Sequence, residues 1–227
     1  MSEPLSLDTA AVLWSHEPAD RPGRHLLVLL HGYGADEHDL FGLRPHLPDD
    51  VVVAAPAAPL APPWPSPGRS WYPIEGLDGR DPARVTAAAH ALVDWIDAQA
   101  ADAASVGLLG FSQGAAVALQ ALRLAPARFA YAVNLSGYVA PGPLPGDAEL
   151  AERRPAVFWG RGSRDDVIPA AMIAHSVEWL PAHADLSGRV YEGLTHSVSE
   201  QELADVRTFL DKQLAAVSAS TSPPDPR

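Results

Sequence analysis

Gly110-Phe111-Ser112-Gln113-Gly114 decides how this chain is read, because it joins the apolar run Val106-Gly107-Leu108-Leu109 to the amphipathic run from Ala115 to Leu122. A buried strand that hands over to a helix within five residues has to turn sharply, and a Gly-x-Ser-x-Gly turn of this kind lifts the serine hydroxyl clear of the backbone. Such a turn forces the serine into a strained conformation. Side chains two residues to either side would collide, which is the reason for the two glycines. The pattern alone is a weak signal, and the strand and helix that flank Ser112 supply most of its weight.

A serine alcohol is a poor nucleophile near neutral pH and needs a base within hydrogen-bond reach, itself oriented by an acid. Around a turn of this type the chain order is serine, acid, histidine. Of the nine histidines, only His175, His183 and His196 lie far enough downstream. His175 falls in Ala170 to Leu180, which has helical apolar spacing, and His183 in the linker expected to follow it. His196 follows the strand-like Gly188-Arg189-Val190-Tyr191 and the short loop Glu192-Gly193-Leu194-Thr195. It precedes a helix opened by Ser199, with Glu202 three residues on as a capping box. A loop at the carboxyl end of a strand is where an open α/β sheet presents its chemistry, so His196 is the expected base.

The acid is sought just beyond a buried strand between Ser112 and His196. Ala156-Val157-Phe158-Trp159-Gly160 is that strand, and the loop after it holds two neighbouring carboxylates, Asp165 and Asp166. Position in the strand order does not separate them. An oxyanion formed on attack by the serine needs donors. The backbone N–H of Gln113 is one, at the amino end of the helix. A second is expected from the loop His31-Gly32-Tyr33-Gly34-Ala35-Asp36, which follows the strongly apolar strand Leu26 to Leu30.

These residues, together with Ala55-Pro56-Ala57-Ala58-Pro59, Ser70-Trp71-Tyr72, Asp165-Asp166-Val167-Ile168-Pro169 and Gly193-Leu194-Thr195-His196-Ser197, resemble the phospholipase/carboxylesterase family of α/β-hydrolases. The resemblance runs in order from about Leu26 to Leu214. It implies the α/β-hydrolase fold and a serine hydrolase acting on carboxylic esters or thioesters, with Ser112, Asp165 and His196 as triad. It also implies the Tyr33 and Gln113 amides as oxyanion donors, and Trp71 and Tyr72 at the substrate pocket. The chain departs from the family at two places: Tyr33 stands where the thioesterase branch carries a smaller aliphatic residue, and Asp166 where proline is usual.

Length and alternation agree with this. The 227 residues suit one α/β domain, assigned to 1–217, with 218–227, polar and proline-rich, expected as a disordered tail. A strand near Val51 to Ala54, a helix from Pro82 capped by Asp81, a strand at Ala130 to Leu135 and a final helix to about Ala216 imply a mainly parallel sheet with helices on both faces. The proline-rich stretch from Pro56 to Pro67, ending near Trp64, Trp71 and Tyr72, reads as a stiff surface connection or a pocket wall.

The formal net charge of −12 argues against nucleic acid or an anionic membrane as partner. The absence of cysteine removes disulfides, thiolate catalysis and cysteine-ligated zinc. His31, His38, Asp36 and Asp39 have no standard metal spacing, so neither metal nor cofactor is expected. Met1 to Gly23 lacks a continuous apolar core, and the default location is cytoplasmic. The expected partner is a small-molecule ester, with homodimerisation left open by the sequence.

Overall fold

The computed structural model describes residues 5–63, 65–74 and 80–221. Its apolar runs form β1 (Val12–Trp14), β2 (His25–Leu30), β3 (Val52–Pro56), β4 (Ser105–Phe111), β5 (Tyr131–Leu135), β6 (Ala156–Gly162) and β7 (Asp185–Tyr191). Between and after them come α1 (Glu37–Phe41), α2 (Pro82–Gln99), α3 (Gln113–Leu124), α4 (Asp147–Arg153), α5 (Ala170–His183) and α6 (Glu200–Thr221). One seven-stranded sheet results, in the order β1-β3-β2-β4-β5-β6-β7, parallel throughout except for β1 against β3.

The central strands are buried on both faces, so they read as continuous apolar runs rather than alternating ones. Successive side chains still point to opposite faces. Leu26, Val28, Leu30, Val106 and Leu108 pack with Ala88, Leu92 and Ile96 of α2 and Val117 of α3. Leu27, Leu29, Val53, Leu109 and Val133 pack with Val206, Phe209 and Leu210 of α6. Asp81 caps α2 as its sequence indicates, its Oδ1 accepting the Ala83 N–H at 2.9 Å.

Several expectations need correction. β1, with only three residues to pattern, has no legible period; it exists because its backbone pairs with Ala54 to Pro56 of β3. β7 starts at Asp185, earlier than Gly188. His183 lies in the last turn of α5 rather than in a linker, its ring stacked on Trp179 at 3.8 Å between centroids. The supposed tail does not begin at 218, because α6 continues to Thr221. Ser218 is held there by its hydroxyl, which donates to the Leu214 carbonyl at 2.8 Å and meets His25 Nε2 at 3.0 Å. The rest of that segment, 222–227, lies outside the described residues, as does Trp64. Among the described residues no helix is long and apolar enough to cross a membrane.

The capping box closes by half. Ser199 Oγ accepts the Glu202 N–H at 3.1 Å, but neither oxygen of the Glu202 carboxyl reaches a hydrogen-bond partner. The carboxyl is fully buried (0% exposed) and fills the space over β6 that a side chain at Gly160 would take. Burial raises its pKa from 4.5 to about 7; the Ser199 backbone offsets this in part and Asp205 adds to it. A raised carboxyl pKa means the folded state prefers the protonated form. Its contribution is therefore complete below about 4.5 and is lost as pH rises through about 7. We expect Glu202→Gln to remove this dependence and to exceed wild type in unfolding free energy at pH 8 by on the order of 1 to 3 kcal/mol. Urea unfolding at pH 5 and pH 8 checks it; an unchanged pH slope in the variant would show that Glu202 is not the titrating group.

Candidate active site

Ser112 closes β4 and opens α3, with φ 53° and ψ −113°, a left-handed conformation rare for a residue with a side chain. The two glycines of the turn are sterically required. A Cβ on Gly110 would sit 2.5 Å from the Ala115 nitrogen, and one on Gly114 would strike the Leu30 carbonyl at the end of β2. The elbow is pinned to the sheet by the Ser112 N–H, which donates to the Leu135 carbonyl of β5 at 2.8 Å. This over-determined packing is what holds the strain in place.

His196 arrives on the loop after β7, and Asp165 on the loop after β6. The two loops are laced together: the Arg164 N–H donates to the Leu194 carbonyl at 2.9 Å, and the Gly193 N–H to Ser163 Oγ at 2.9 Å. His196 Nδ1 lies 2.8 Å from Asp165 Oδ2, and His196 Nε2 lies 2.8 Å from Ser112 Oγ. An ionised carboxylate only accepts, so Nδ1 carries the proton and Nε2 is left as the acceptor for the serine hydroxyl. Asp165 Oδ1 is occupied by the N–H groups of Val167 at 3.0 Å and Ile168 at 3.3 Å. The Asp165 side chain is 3% exposed, whereas Asp166 faces solvent. Phe111 packs its ring 5.0 Å from the His196 ring.

The residues expected to supply oxyanion donors converge on the same place. Tyr33 and Gln113 line a cavity of about 210 Å³ together with Ser112 and His196, and among the described residues neither backbone N–H has an acceptor. His31 braces this loop from beneath, fully buried: its Nδ1–H donates to the Gly32 carbonyl at 2.7 Å and its Nε2 accepts the Ala58 N–H at 3.1 Å. Burial holds its pKa below the usual imidazole value, against the pull of the Gly32 carbonyl, in keeping with the neutral ring these two bonds require. Both His31 nitrogens are engaged in these bonds, while Asp36 and His38 lie with Glu37 in a separate cluster whose ligand atoms are within 4.8 Å of one another.

Tyr72 lines the cavity, but Trp71 does not. Trp71 is 0% exposed because both of its N–H groups face inward, Nε1 donating to the His31 carbonyl at 2.9 Å and the backbone N–H to Gln113 Oε1 at 2.8 Å. The substrate-binding role expected for Trp71 is therefore corrected to support of the His31 to Tyr33 loop. The Gln113 side chain, which sequence reading used only for its backbone, completes the clamp by donating Nε2 to the Tyr72 carbonyl at 2.7 Å. Also missed were the wall residues Ile74, Arg80, Tyr138, Val167 and Ile168. Beyond Phe111 and His196 lies a second hollow of about 310 Å³, lined by Leu40, Leu43 and Val198 with Asp39 and Ser197.

A serine hydroxyl on a strained turn, an imidazole nitrogen 2.8 Å from it and a buried carboxylate on the other imidazole nitrogen, beside a cavity lined by Tyr33 and Gln113, are groups suited to acyl transfer. The chain's relatives agree. Residues 15–214 match the family described as Phospholipase/Carboxylesterase. Esterase YpfH of Escherichia coli is 28% identical over 196 residues, covering 81% of each chain. Acyl-protein thioesterase 1 of Saccharomyces cerevisiae is 31% identical over 111 residues, 47% of this chain and 49% of that one. Among solved structures, that of esterase PE8 aligns with a TM-score of 0.69 at 26% identity, over 91% of this chain and 99% of its own. Because the match takes in the elbow, both loops beyond it and six of the seven strands, the chain belongs to the phospholipase/carboxylesterase family of α/β-hydrolases and is a carboxylic ester hydrolase.

Proposed function

We propose that the protein hydrolyses esters of short and medium acyl chains through an acyl-enzyme on Ser112, with His196 as general base and acid and Asp165 as its orienting carboxylate. The observation that carries this is the unbroken relay of two 2.8 Å contacts from Asp165 through His196 to Ser112. His196 Nε2 takes the hydroxyl proton as Ser112 Oγ attacks the ester carbonyl carbon. The negative charge on the carbonyl oxygen is met by the Tyr33 and Gln113 N–H groups. Collapse breaks the bond to the leaving alcohol, whose oxygen receives the proton from His196. Water then attacks the acyl-enzyme, gives its proton to the same nitrogen, and releases the acid and the regenerated serine.

Size supports the chain-length part of this reading. A cavity of about 210 Å³ is below the range of roughly 300 to 1,000 Å³ common for drug-sized ligands, and large side chains, Tyr72, Tyr138 and Phe111, form its walls. p-Nitrophenyl acetate and butyrate should therefore be turned over with higher kcat/KM than the palmitate ester. A profile that climbs steadily beyond about twelve carbons, as burial worth ~0.8 kcal/mol per CH₂ would give in a long open groove, would overturn it. Thioester cleavage on the same machinery is the second reading, motivated by the resemblance to a protein named as an acyl-protein thioesterase. Acyl-CoA and p-nitrophenyl esters of one chain length, compared side by side, separate the two.

A further inference from the structure

Among the described residues that line the cavity beside Ser112, Arg80 carries the one guanidinium. Arg80 donates one Nη2–H to the Val167 carbonyl at 2.9 Å and stands 5.8 Å from the centre of the Tyr138 ring. No carboxylate is among the described residues that line the cavity. Beside it, Tyr72 Oη and Tyr138 Oη lie 2.7 Å apart. Two phenols that share one hydrogen bond have one hydrogen to spare, and among the described residues that second O–H has no acceptor. Burial raises the pKa of both phenols, so both keep their hydrogens across the working pH range. One end of the cavity thus offers a cation and a hydroxyl hydrogen, an arrangement that an acceptor-only anion satisfies.

The direction in which a substrate lies follows from the two hollows. The one lined by Leu40, Leu43 and Val198 touches His196 but neither Ser112 nor the two free amides. It is placed for the leaving alcohol, whose oxygen takes its proton from His196. The Arg80 cavity, which holds Ser112, Tyr33 and Gln113, is then the acyl side. Resting on the esterase reading above, we propose that Arg80, with the Tyr72 and Tyr138 hydroxyl pair, selects acyl groups that end in a carboxylate, so that the preferred substrates are monoesters of short dicarboxylic acids. The overall charge of −12 offers such a substrate no long-range attraction. Selection depends on the Arg80 guanidinium at the cavity wall, because more distant surface charges are screened beyond about 8 Å at physiological ionic strength.

The test compares monomethyl glutarate with methyl pentanoate, which has the same chain length and no carboxylate, by pH-stat titration of released acid. Wild type is expected to favour the glutarate monoester in kcat/KM by roughly tenfold or more, the scale of a charge-assisted hydrogen bond in a partly dry site. Arg80→Gln should reduce that ratio by about the same factor, and Arg80→Lys should restore part of it by keeping the charge while losing the planar fork. Tyr138→Phe should lower the ratio as well, by removing one hydroxyl of the pair. A ratio near one in wild type, or one that Arg80→Gln leaves unaltered, overturns the assignment. The second outcome would mean that Arg80 serves only to hold the Val167 carbonyl in the Asp165 loop. Failure of wild type to cleave either ester, or p-nitrophenyl acetate, would instead overturn the esterase reading itself.

Discussion

Ser112→Ala is expected to lose ester turnover by about four to six orders of magnitude while remaining folded. The substitution removes one oxygen and nothing else: alanine keeps the Cβ, so the strained backbone at φ 53° is neither relieved nor worsened, and the Leu135 carbonyl still receives the residue's N–H. What disappears is the atom 2.8 Å from His196 Nε2. The Tyr33 and Gln113 amides remain, so a small residual acceleration from oxyanion stabilisation is compatible with the loss. Two measurements check it together, the rate with p-nitrophenyl acetate and the mass shift on treatment with a fluorophosphonate. A folded variant that hydrolyses the ester at the wild-type rate would remove Ser112 from the mechanism.

The second large effect is expected at Asp165, and the surrounding hydrogen bonds determine its direction. In Asp165→Asn the side-chain oxygen that accepts from the Val167 and Ile168 N–H groups must remain an oxygen, because an amide NH₂ there would face two donors. The NH₂ is therefore turned toward His196 Nδ1, which must become the acceptor. That places the imidazole hydrogen on Nε2, facing the Ser112 hydroxyl, where it blocks proton abstraction. A fall of about 10⁴ in kcat follows, the size found when a triad aspartate is replaced and the wrong tautomer is fixed. Asp166→Asn, on the exposed side of the same loop, should cost less than about tenfold. Steady-state kinetics of both variants with one ester decide the matter; the reverse ranking would identify Asp166 as the acid.

What the sequence by itself determined are the features written in neighbouring residues. The elbow is legible because a strand, a tight turn and a helix fall within a few residues and Gly110 is needed locally, where a Cβ would meet Ala115; the clash that requires Gly114 is with Leu30 of β2 and belongs to the fold. His196 is legible for a similar reason, as the downstream histidine on a strand-to-helix loop with its own cap at Ser199. The parallel sheet follows from apolar runs that alternate with helical periodicity. Residues whose role depends on direction within a loop, or on neighbours far away in the chain, were decided only by the tertiary structure. Asp165 and Asp166 are the same chemistry one position apart, and only the backbone path after β6 turns one carboxylate to His196 and the other to water. The family resemblance puts Trp71 at the pocket, yet its indole N–H is taken by the His31 carbonyl, forty residues earlier in the chain, which draws the ring inward. Arg80, Tyr138 and Val167 come from three separate segments and meet only when the sheet places their loops at one edge. Glu202 carries the signature of a capping box, but the space over Gly160 keeps its carboxyl in the core instead of letting it close the box. Local sequence fixes backbone geometry and period, whereas the partner that satisfies a polar side chain is chosen by packing across the whole fold.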